Sequence, residues 1–276
     1  MTEETKIRAK KGTFMGFTSL ILGLGGVFLS YLFIFVYLGP ILIAETAAAQ
    51  ECRLTAPFFI PAFAGIGIIG GILWLTASVG FFQRKNWAYT VGVIAVVINL
   101  FANMWPNIPA MESKAAVPGP WFLLFFPNLL IFFLLLRRER VSWGKAWLGM
   151  FVGMAFILNF INGIAATTRM LNRIPDYGAA SIYMLTMPTN MIASFLFGFT
   201  AIGLFIAKKK DLVRMTGLAG VFLAISAGFP LAFYSMFFEG ADPTFSMFIL
   251  GPIISLLAGW VFISSKMWEK VVVAGK

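Results

Sequence analysis

Asparagine side chains inside long apolar runs are the groups in this sequence best placed to bind a polar partner. Asn99 and Asn103 are four residues apart, and Asn159 and Asn162 are three apart, so each pair shares one face of a helix. Two further asparagines lie beside prolines, which leave a carbonyl one turn earlier without its helical donor. The complete candidate set is Asn99, Asn103, Asn128, Asn159, Asn162, Thr189 and Asn190. Pro127 precedes Asn128, and Pro188 precedes Thr189 and Asn190.

This amide set has two interpretations. We favour hydrogen bonding between helices, in which each bond contributes about 0.6 kcal/mol on average. The alternative is a neutral polar site, in which the amides and the freed carbonyls bind water or a small solute. A channel predicts a water-accessible cavity that reaches Asn99, Asn159 and Asn190, whereas packing predicts that these amides are paired and dry.

The residue types that most enzymes and metal proteins need are scarce. The chain has no histidine, which removes the commonest general base and the usual zinc or haem-iron ligand. No Asp, Glu, Lys or Arg lies in the central part of an apolar run, where ion-coupled transporters normally carry one. A GK[ST] phosphate loop is also absent. We therefore predict that the protein is not an enzyme, with no catalytic residue, no metal site and no cofactor beyond bound lipids.

The links between the apolar runs carry few features of their own. Cys52 is the single cysteine, so an internal disulfide is impossible, and we expect an idle thiol rather than an intermolecular bridge or an attached group. The same link, residues 39–56, has room for a short interfacial helix. In the link after the third run, Pro106 and Pro109 predict stiff, extended backbone.

The apolar runs predict the elements that position these residues. The 276 residues are 60% hydrophobic and only 12% charged, against about 25% charged in a soluble protein. A run of about 20 apolar residues crosses a membrane as a helix, and continuous rather than alternating runs exclude a barrel. We predict an all-α integral membrane protein with eight transmembrane helices, at residues 13–38, 57–82, 87–105, 120–136, 146–166, 178–206, 212–237 and 244–264.

The charged residues predict the orientation of these helices. Alternate links share 17 of the 21 basic residues and only 5 of the 11 acidic ones, a net charge of +12 against −2 on the other side. The positive-inside rule places the basic side, and with it both termini, in the cytoplasm. We predict a multi-pass protein of the cell membrane with cytoplasmic tails at 1–12 and 265–276. The net charge of +10 is explained by this topology and by anionic headgroups, without nucleic acid.

The same pattern of helices recurs along the chain. The run from Trp87 to Asn99 matches the run from Trp147 to Asn159, and a basic cluster opens every odd-numbered helix. We predict one domain, 13–264, built of four tandem hairpins at 13–82, 87–136, 146–206 and 212–264, by duplication or by convergence. This style of hairpin resembles many prokaryotic membrane proteins, without a motif that assigns a family or a function.

Glycine pairs with GxxxG spacing occur in two of the predicted helices. Gly67 and Gly71 lie in the second, and Gly149 and Gly153 in the fifth. Small residues let helix backbones approach closely in a membrane. We predict ordinary helix packing at these positions rather than a specific dimer interface.

Three functions remain open for a membrane protein with so little reactive chemistry. The first is a non-catalytic accessory or structural subunit of a larger membrane complex. The second is a channel or facilitator for a neutral or hydrophobic solute through an Asn-lined centre. The third is a lipid- or pigment-binding protein that uses aromatic clefts. The expected partners are membrane lipids and other membrane subunits, or further copies of this chain.

Overall fold

The protein is all-α. The computed structural model describes residues 3–173, 177–238 and 246–274, and these residues contain helices and no strand. The predicted fold class is therefore confirmed at this level. The helices are α1 (Glu3–Ala47), α2 (Ala56–Phe82), α3 (Trp87–Ala102), α4 (Asn107–Glu112), α5 (Phe122–Arg138), α6 (Trp143–Asn172), α7 (Tyr177–Ile206), α8 (Lys210–Phe238), α9 (Leu250–Ile263) and α10 (Ser265–Trp268). Short 3₁₀ helices lie at Glu51–Leu54 and Met247–Ile249, and a π-helical turn at Glu269–Val273.

Six segments of the described chain are long and apolar enough to cross a membrane: Gly12–Ala47, Ala56–Phe82, Trp87–Glu112, Trp143–Asn172, Ala180–Ile206 and Lys210–Phe238. A seventh is formed if α9 and the helical segment after it count as one span, although they meet at 88°. The multi-pass membrane character is thus supported. The count of eight remains a prediction, because α5 has 17 residues and α9 has 14, fewer than the roughly 20 that cross a membrane unaided.

Two expectations about the links between helices are wrong. α1 continues through Pro40 to Ala47, where we expected its end at residue 38, because the apolar sequence resumes after the proline and Ile41 is fully buried. The link after α3 contains a helix, α4, where the prolines predicted extended backbone. Pro106 precedes the first turn of α4 and Pro109 lies within it, and first-turn positions have no helical use for the N–H that proline lacks.

The chain forms two compact units, Met1–Glu139 and Arg140–Lys276. In the first unit, α1 packs along α2, α2 along α3, and α3 against α5. In the second, α6 packs along α7, α7 along α8, and α9 contacts both α8 and α6. Each unit thus contains four of the eight helices that correspond to predicted spans.

Glycines set the close contact between α1 and α2. A Cβ added at Gly71 would lie 2.9 Å from the Val27 nitrogen and 3.0 Å from the Gly23 carbonyl oxygen, both of them backbone atoms. A Cβ at Gly26 would lie 3.2 Å from the Gly71 Cα atom. The two backbones therefore approach closely at a point where neither helix has space for a side chain, as small-residue packing in membranes requires.

A single arginine accounts for the sharp end of α9. The Arg214 side chain, on α8, donates hydrogen bonds to the carbonyls of Phe262 (2.7 Å) and Ile263 (3.1 Å) and to the Ser265 hydroxyl (3.0 Å). The last carbonyls of a helix lack donors within the helix, and here a cation supplies them at the negative end of the helix dipole. The chain then turns at Ser264, whose hydroxyl caps α10 by accepting from the Met267 N–H.

The α1–α2 contact predicts the effect of one added methyl group. We expect Gly71→Ala to lower the free energy of unfolding by about 1–3 kcal/mol, because the new Cβ meets backbone atoms that cannot rotate away. Gly65→Ala is the matched control on the same helix, since a Cβ there meets nothing within 4 Å. Unfolding in detergent micelles titrated with SDS measures both. Equal stability of the two variants would contradict the packing described here.

Candidate functional site

The amides of the first unit form a ladder that begins on α3. Each side-chain nitrogen donates to the carbonyl four residues earlier: Asn99 to Ala95 (2.9 Å), Asn103 to Asn99 (2.8 Å) and Asn107 to Asn103 (2.7 Å). All three asparagines are at most 1% exposed. Asn107 was missed by the sequence analysis, although its i+4 spacing from Asn103 continues the pattern. The donors of this ladder are therefore used inside the chain.

Asn99 lies where α3 meets the glycine-rich faces of α1 and α2. A Cβ at Gly70 would collide with the Asn99 side-chain nitrogen, and one at Gly26 would lie 3.7 Å from Asn99 Oδ1. At the end of the ladder, a Cβ at Gly119 would collide with Asn107. Glycine at positions 70 and 119 thus provides the space that these two amides occupy.

Asn128 forms a hydrogen bond between helices. The Trp74 indole N–H, on α2, donates to Asn128 Oδ1, on α5, at 2.8 Å, and the Asn128 nitrogen donates to the Leu124 carbonyl at 2.8 Å. Trp74 and Asn128 are 0% and 1% exposed. Both polar ends of this amide are therefore satisfied without water.

In the second unit, two of the predicted asparagines hold α6 against α9. The Asn159 nitrogen donates to the Ala155 carbonyl (2.7 Å) and to the Ser255 hydroxyl (3.0 Å), which itself donates to Gly251. The Asn162 nitrogen donates to the Phe248 carbonyl at 3.0 Å, in the turn before α9. The i, i+3 spacing directs both amides to the same neighbour.

The remaining predicted residues lie on α7 and do not join that group by hydrogen bonds. Asn190 is fully buried, and its nitrogen donates to Thr186 in its own helix at 2.9 Å. Thr189 is partly exposed and its hydroxyl donates to Leu185. A bond that the sequence analysis missed joins α7 to α6, from the Ser194 hydroxyl to the Phe156 carbonyl at 2.7 Å.

Four amide oxygens accept no hydrogen bond within the described part of the chain: those of Asn99, Asn107, Asn159 and Asn190. Their residues are at most 1% exposed, so these oxygens lie away from the molecular surface. Each of these amide nitrogens already donates inside the chain. Burial and the bonded nitrogens fit helix packing, whereas the four oxygens lack the partners that the packing interpretation predicts.

The four predicted packing glycines differ in their surroundings. Gly71 lies in the tight α1–α2 contact, and a Cβ at Gly67 would lie 2.9 Å from Ser30 Oγ on α1. Gly149 is buried in α6, whereas a Cβ at Gly153 would meet nothing within 4 Å. Gly67 and Gly71 therefore lie in a close contact between α1 and α2, whereas Gly153 has space for a side chain.

An acidic group of side chains lies at one end of the first unit. Glu45 near the end of α1, Cys52 in the 3₁₀ helix and Glu112 at the end of α4 each direct a ligand atom to a common point, within 4.8 Å of one another. The Cys52 thiol donates a hydrogen bond to Glu112. Burial, followed by the charges of Glu112 and Glu45, raises the pKa of the Cys52 thiol. We call these three residues the outer cluster, because the charge pattern of the sequence predicts that all three lie outside.

The sequence predicts an idle Cys52 and places Glu45 and Glu112 only among the charged residues of the links. The one available signal was that all three belong to links on the same predicted side.

Comparison of the chain with protein-family models, with curated proteins and with solved structures found no match. Proposals about its function therefore depend on the geometry above.

The Trp74–Asn128 bond predicts energetic coupling between two positions 54 residues apart. We expect Trp74→Phe and Asn128→Leu each to destabilise the first unit, and the double variant to lose less than the sum of the two. The coupling energy should be about 0.6–1.7 kcal/mol, the range measured for hydrogen bonds between membrane helices. A double-mutant cycle of SDS unfolding free energies measures it, and strict additivity would contradict the bond.

Two buried asparagines should respond differently to replacement by leucine. Asn159→Leu removes a bond to another helix and should cost about 1–2 kcal/mol. Asn190→Leu removes a buried oxygen that has no donor and a hydrogen bond within α7. The free energy of unfolding should therefore fall by less than about 0.5 kcal/mol, or should increase. Thermal unfolding of the two variants compares them directly. A larger loss for Asn190→Leu would show that Asn190 has a partner role that its contacts do not predict.

Proposed function

We propose that this chain is a non-catalytic, multi-pass protein of the cell membrane that serves as an accessory subunit of a larger membrane assembly. In this proposal it has eight spans in four hairpins and both termini in the cytoplasm. The basic links support that orientation, and the burial of the amides, whose nitrogens donate inside the chain, argues against a polar solute path. The observation that carries the proposal is an exposed apolar face on α1.

This face, which we call the α1 seam, has the spacing of a helix-packing surface. Seven large side chains recur at alternating intervals of three and four residues, and each is between 54% and 83% exposed. Alternation of three and four is the spacing at which two helices pack in a left-handed supercoil. The seam consists of Phe14, Phe17, Ile21, Leu24, Phe28, Tyr31 and Phe35.

The length and position of the seam fit a partner inside the membrane. From Phe14 to Phe35 an α-helix rises about 32 Å, which matches the hydrocarbon layer of roughly 30 Å. In the most apolar stretch of α1 only 17% of residues are buried, against 39–56% in the five other spanning segments. α1 is thus the spanning helix with the most surface left for another protein.

The chemistry of the partner follows from how this chain packs its own helices. Large side chains lie over glycines at several contacts, for example Phe82 over Gly16, Leu75 over Gly23 and Phe262 over Gly217. A seam of large residues therefore fits a transmembrane helix that presents a stripe of small residues. We propose such a helix, from another subunit, as the partner.

Removal of aromatic side chains from the seam tests this proposal. We expect the protein, purified in gentle detergent from its native membrane, to carry other membrane subunits in fixed stoichiometry. The double variant Phe28→Ala and Phe35→Ala should co-purify with these subunits in an amount at least tenfold lower than the wild type. The matched control is Phe222→Ala and Phe233→Ala, which removes two exposed aromatics from α8.

Mass analysis of the intact particles gives the stoichiometry. A wild-type protein that purifies as a monomer or homo-oligomer would contradict the accessory role. Equal losses from the seam and control variants would show that the seam is not the interface.

One observation favours the lipid-binding function as the second candidate. A groove of about 420 Å³ includes part of the seam. It is lined by the seam residues Leu24, Phe28, Tyr31 and Phe35 and by Val27, Leu32 and Leu75. Its apolar, aromatic lining suits an acyl chain or a pigment tail. In the same purification, a lipid retained in fixed ratio by the wild type but not by the seam variant, without any protein partner, would favour this function.

A further inference from the structure

The outer cluster differs from every other buried polar group described above. Glu45 is 0% exposed, and neither of its carboxylate oxygens accepts a hydrogen bond within the described part of the chain. The buried amides at least use their donors within the bundle, whereas a carboxylate has only acceptor oxygens. A buried carboxylate without a donor or a cation carries a large desolvation cost. A proton or a bound cation removes that cost, and a thiol and a second carboxylate nearby are ligand types that bind a cation.

The neighbouring side chains increase the demand for a cation. A carboxylate oxygen of Glu45, one of Glu112 and the Cys52 sulfur lie within 4.8 Å of one another. The negative charge of Glu51 also contributes to the raised pKa of the Cys52 thiol. The nearest cation in the sequence, Arg53, directs one guanidinium nitrogen to the Ala49 carbonyl at 2.8 Å. The two carboxylates and the thiol thus converge from α1, the 3₁₀ helix and α4 of the first unit.

We propose that Glu45, Cys52 and Glu112 form a binding site for a divalent transition-metal ion of the zinc type. One carboxylate oxygen from each glutamate and the Cys52 sulfur provide three ligands, and water completes a tetrahedral shell. Three protein ligands and one water form a common zinc arrangement. The partial exposure of Cys52 leaves a side from which the ion and the water can enter.

The ligand types select the metal. A thiolate favours zinc and its neighbours in the first transition series over Mg²⁺ and Ca²⁺, which prefer oxygen ligands alone. At tetrahedral angles, Zn–S and Zn–O bonds place sulfur and oxygen about 3.6 Å apart. The cluster reaches that spacing if its ligand atoms contract by about 1 Å, within the range of side-chain rotation.

Binding requires no redox step. The metal ion replaces the thiol proton of Cys52, the sulfur–metal bond forms as the S–H bond breaks, and the proton leaves to water. Two carboxylates, one thiolate and a divalent cation then sum to a net charge of −1, against −2 for the two carboxylates and the neutral thiol. The ion also ties the end of α1 to the 3₁₀ helix and to α4, so in this proposal it crosslinks these three elements.

The composition of the chain permits an unusually direct test with cobalt. The full-length protein, purified with a tag that lacks histidine and treated with a chelator, is titrated with Co²⁺. Cys52 is the only cysteine and there is no histidine, so a thiolate-to-cobalt charge-transfer band can come only from Cys52. We expect one equivalent of Co²⁺ to give this band, and Zn²⁺ but not Mg²⁺ or Ca²⁺ to abolish it.

Variants separate the site from incidental binding. Cys52→Ser should abolish the band, and Glu45→Gln and Glu112→Gln should each weaken binding at least tenfold. Glu51→Gln, an adjacent acidic residue outside the cluster, is the matched control and should bind as the wild type does. Zn²⁺ should also raise the unfolding temperature of the wild type and of Glu51→Gln, but not that of Glu45→Gln.

Two results would overturn the proposal. One is the absence of a charge-transfer band in the wild type at millimolar Co²⁺. The other is a band whose midpoint is the same in Glu45→Gln and Glu112→Gln as in the wild type, which would mean that Cys52 binds the metal without the carboxylates. Gel filtration of each variant checks folding, so a misfolded variant is not counted as loss of the site.

Discussion

The satisfaction of polar groups in an interior without water is the constraint on which this structure depends. A donor or acceptor that loses water and finds no partner costs about 1–3 kcal/mol, and lipid offers none. The chain meets this constraint locally, since most buried amides donate to the carbonyl four residues earlier. It also meets it between helices, through Trp74 with Asn128, Asn159 with Ser255, and Arg214 with the end of α9. The short spacing between α1 and α2 is compatible with this solution because glycines leave space for Asn99.

The same constraint gives the outer cluster its significance. An amide oxygen without a donor is a neutral dipole, and the bundle tolerates four of these. Glu45 carries two oxygens without a donor and faces a second carboxylate and a thiol, so its cost when charged is much larger. A packing role explains Asn159 and Asn128, because each bonds another helix. It does not explain Glu45, which has no hydrogen-bond partner in the described chain and which a cation bound among the three ligands would pair.

Sequence reasoning succeeded where a property is continuous along the chain and failed where it depends on contacts between distant residues. Apolar runs predicted the helical class and the position of most helices, because hydrophobicity over 20 residues outweighs local preferences. The sequence did not predict that α1 continues past Pro40, because the proline was taken as an end although the apolar sequence resumes after it. The amides were correctly selected as buried groups, but their partners could not be predicted. The outer cluster was missed because Glu45 and Glu112 are 67 positions apart and only the fold brings them together.

The faces of α1 relate the two proposals. Glycines of α1 lie against α2, and its seven large exposed residues form the α1 seam. The end of α1 carries the buried residues Ile41 and Glu45. A metal ion in the outer cluster would fix the end of α1 through Glu45 and would hold the α1 seam in place for a partner helix. Metal binding and subunit binding would then favour the same position of α1, and each would strengthen the other through that shared helix.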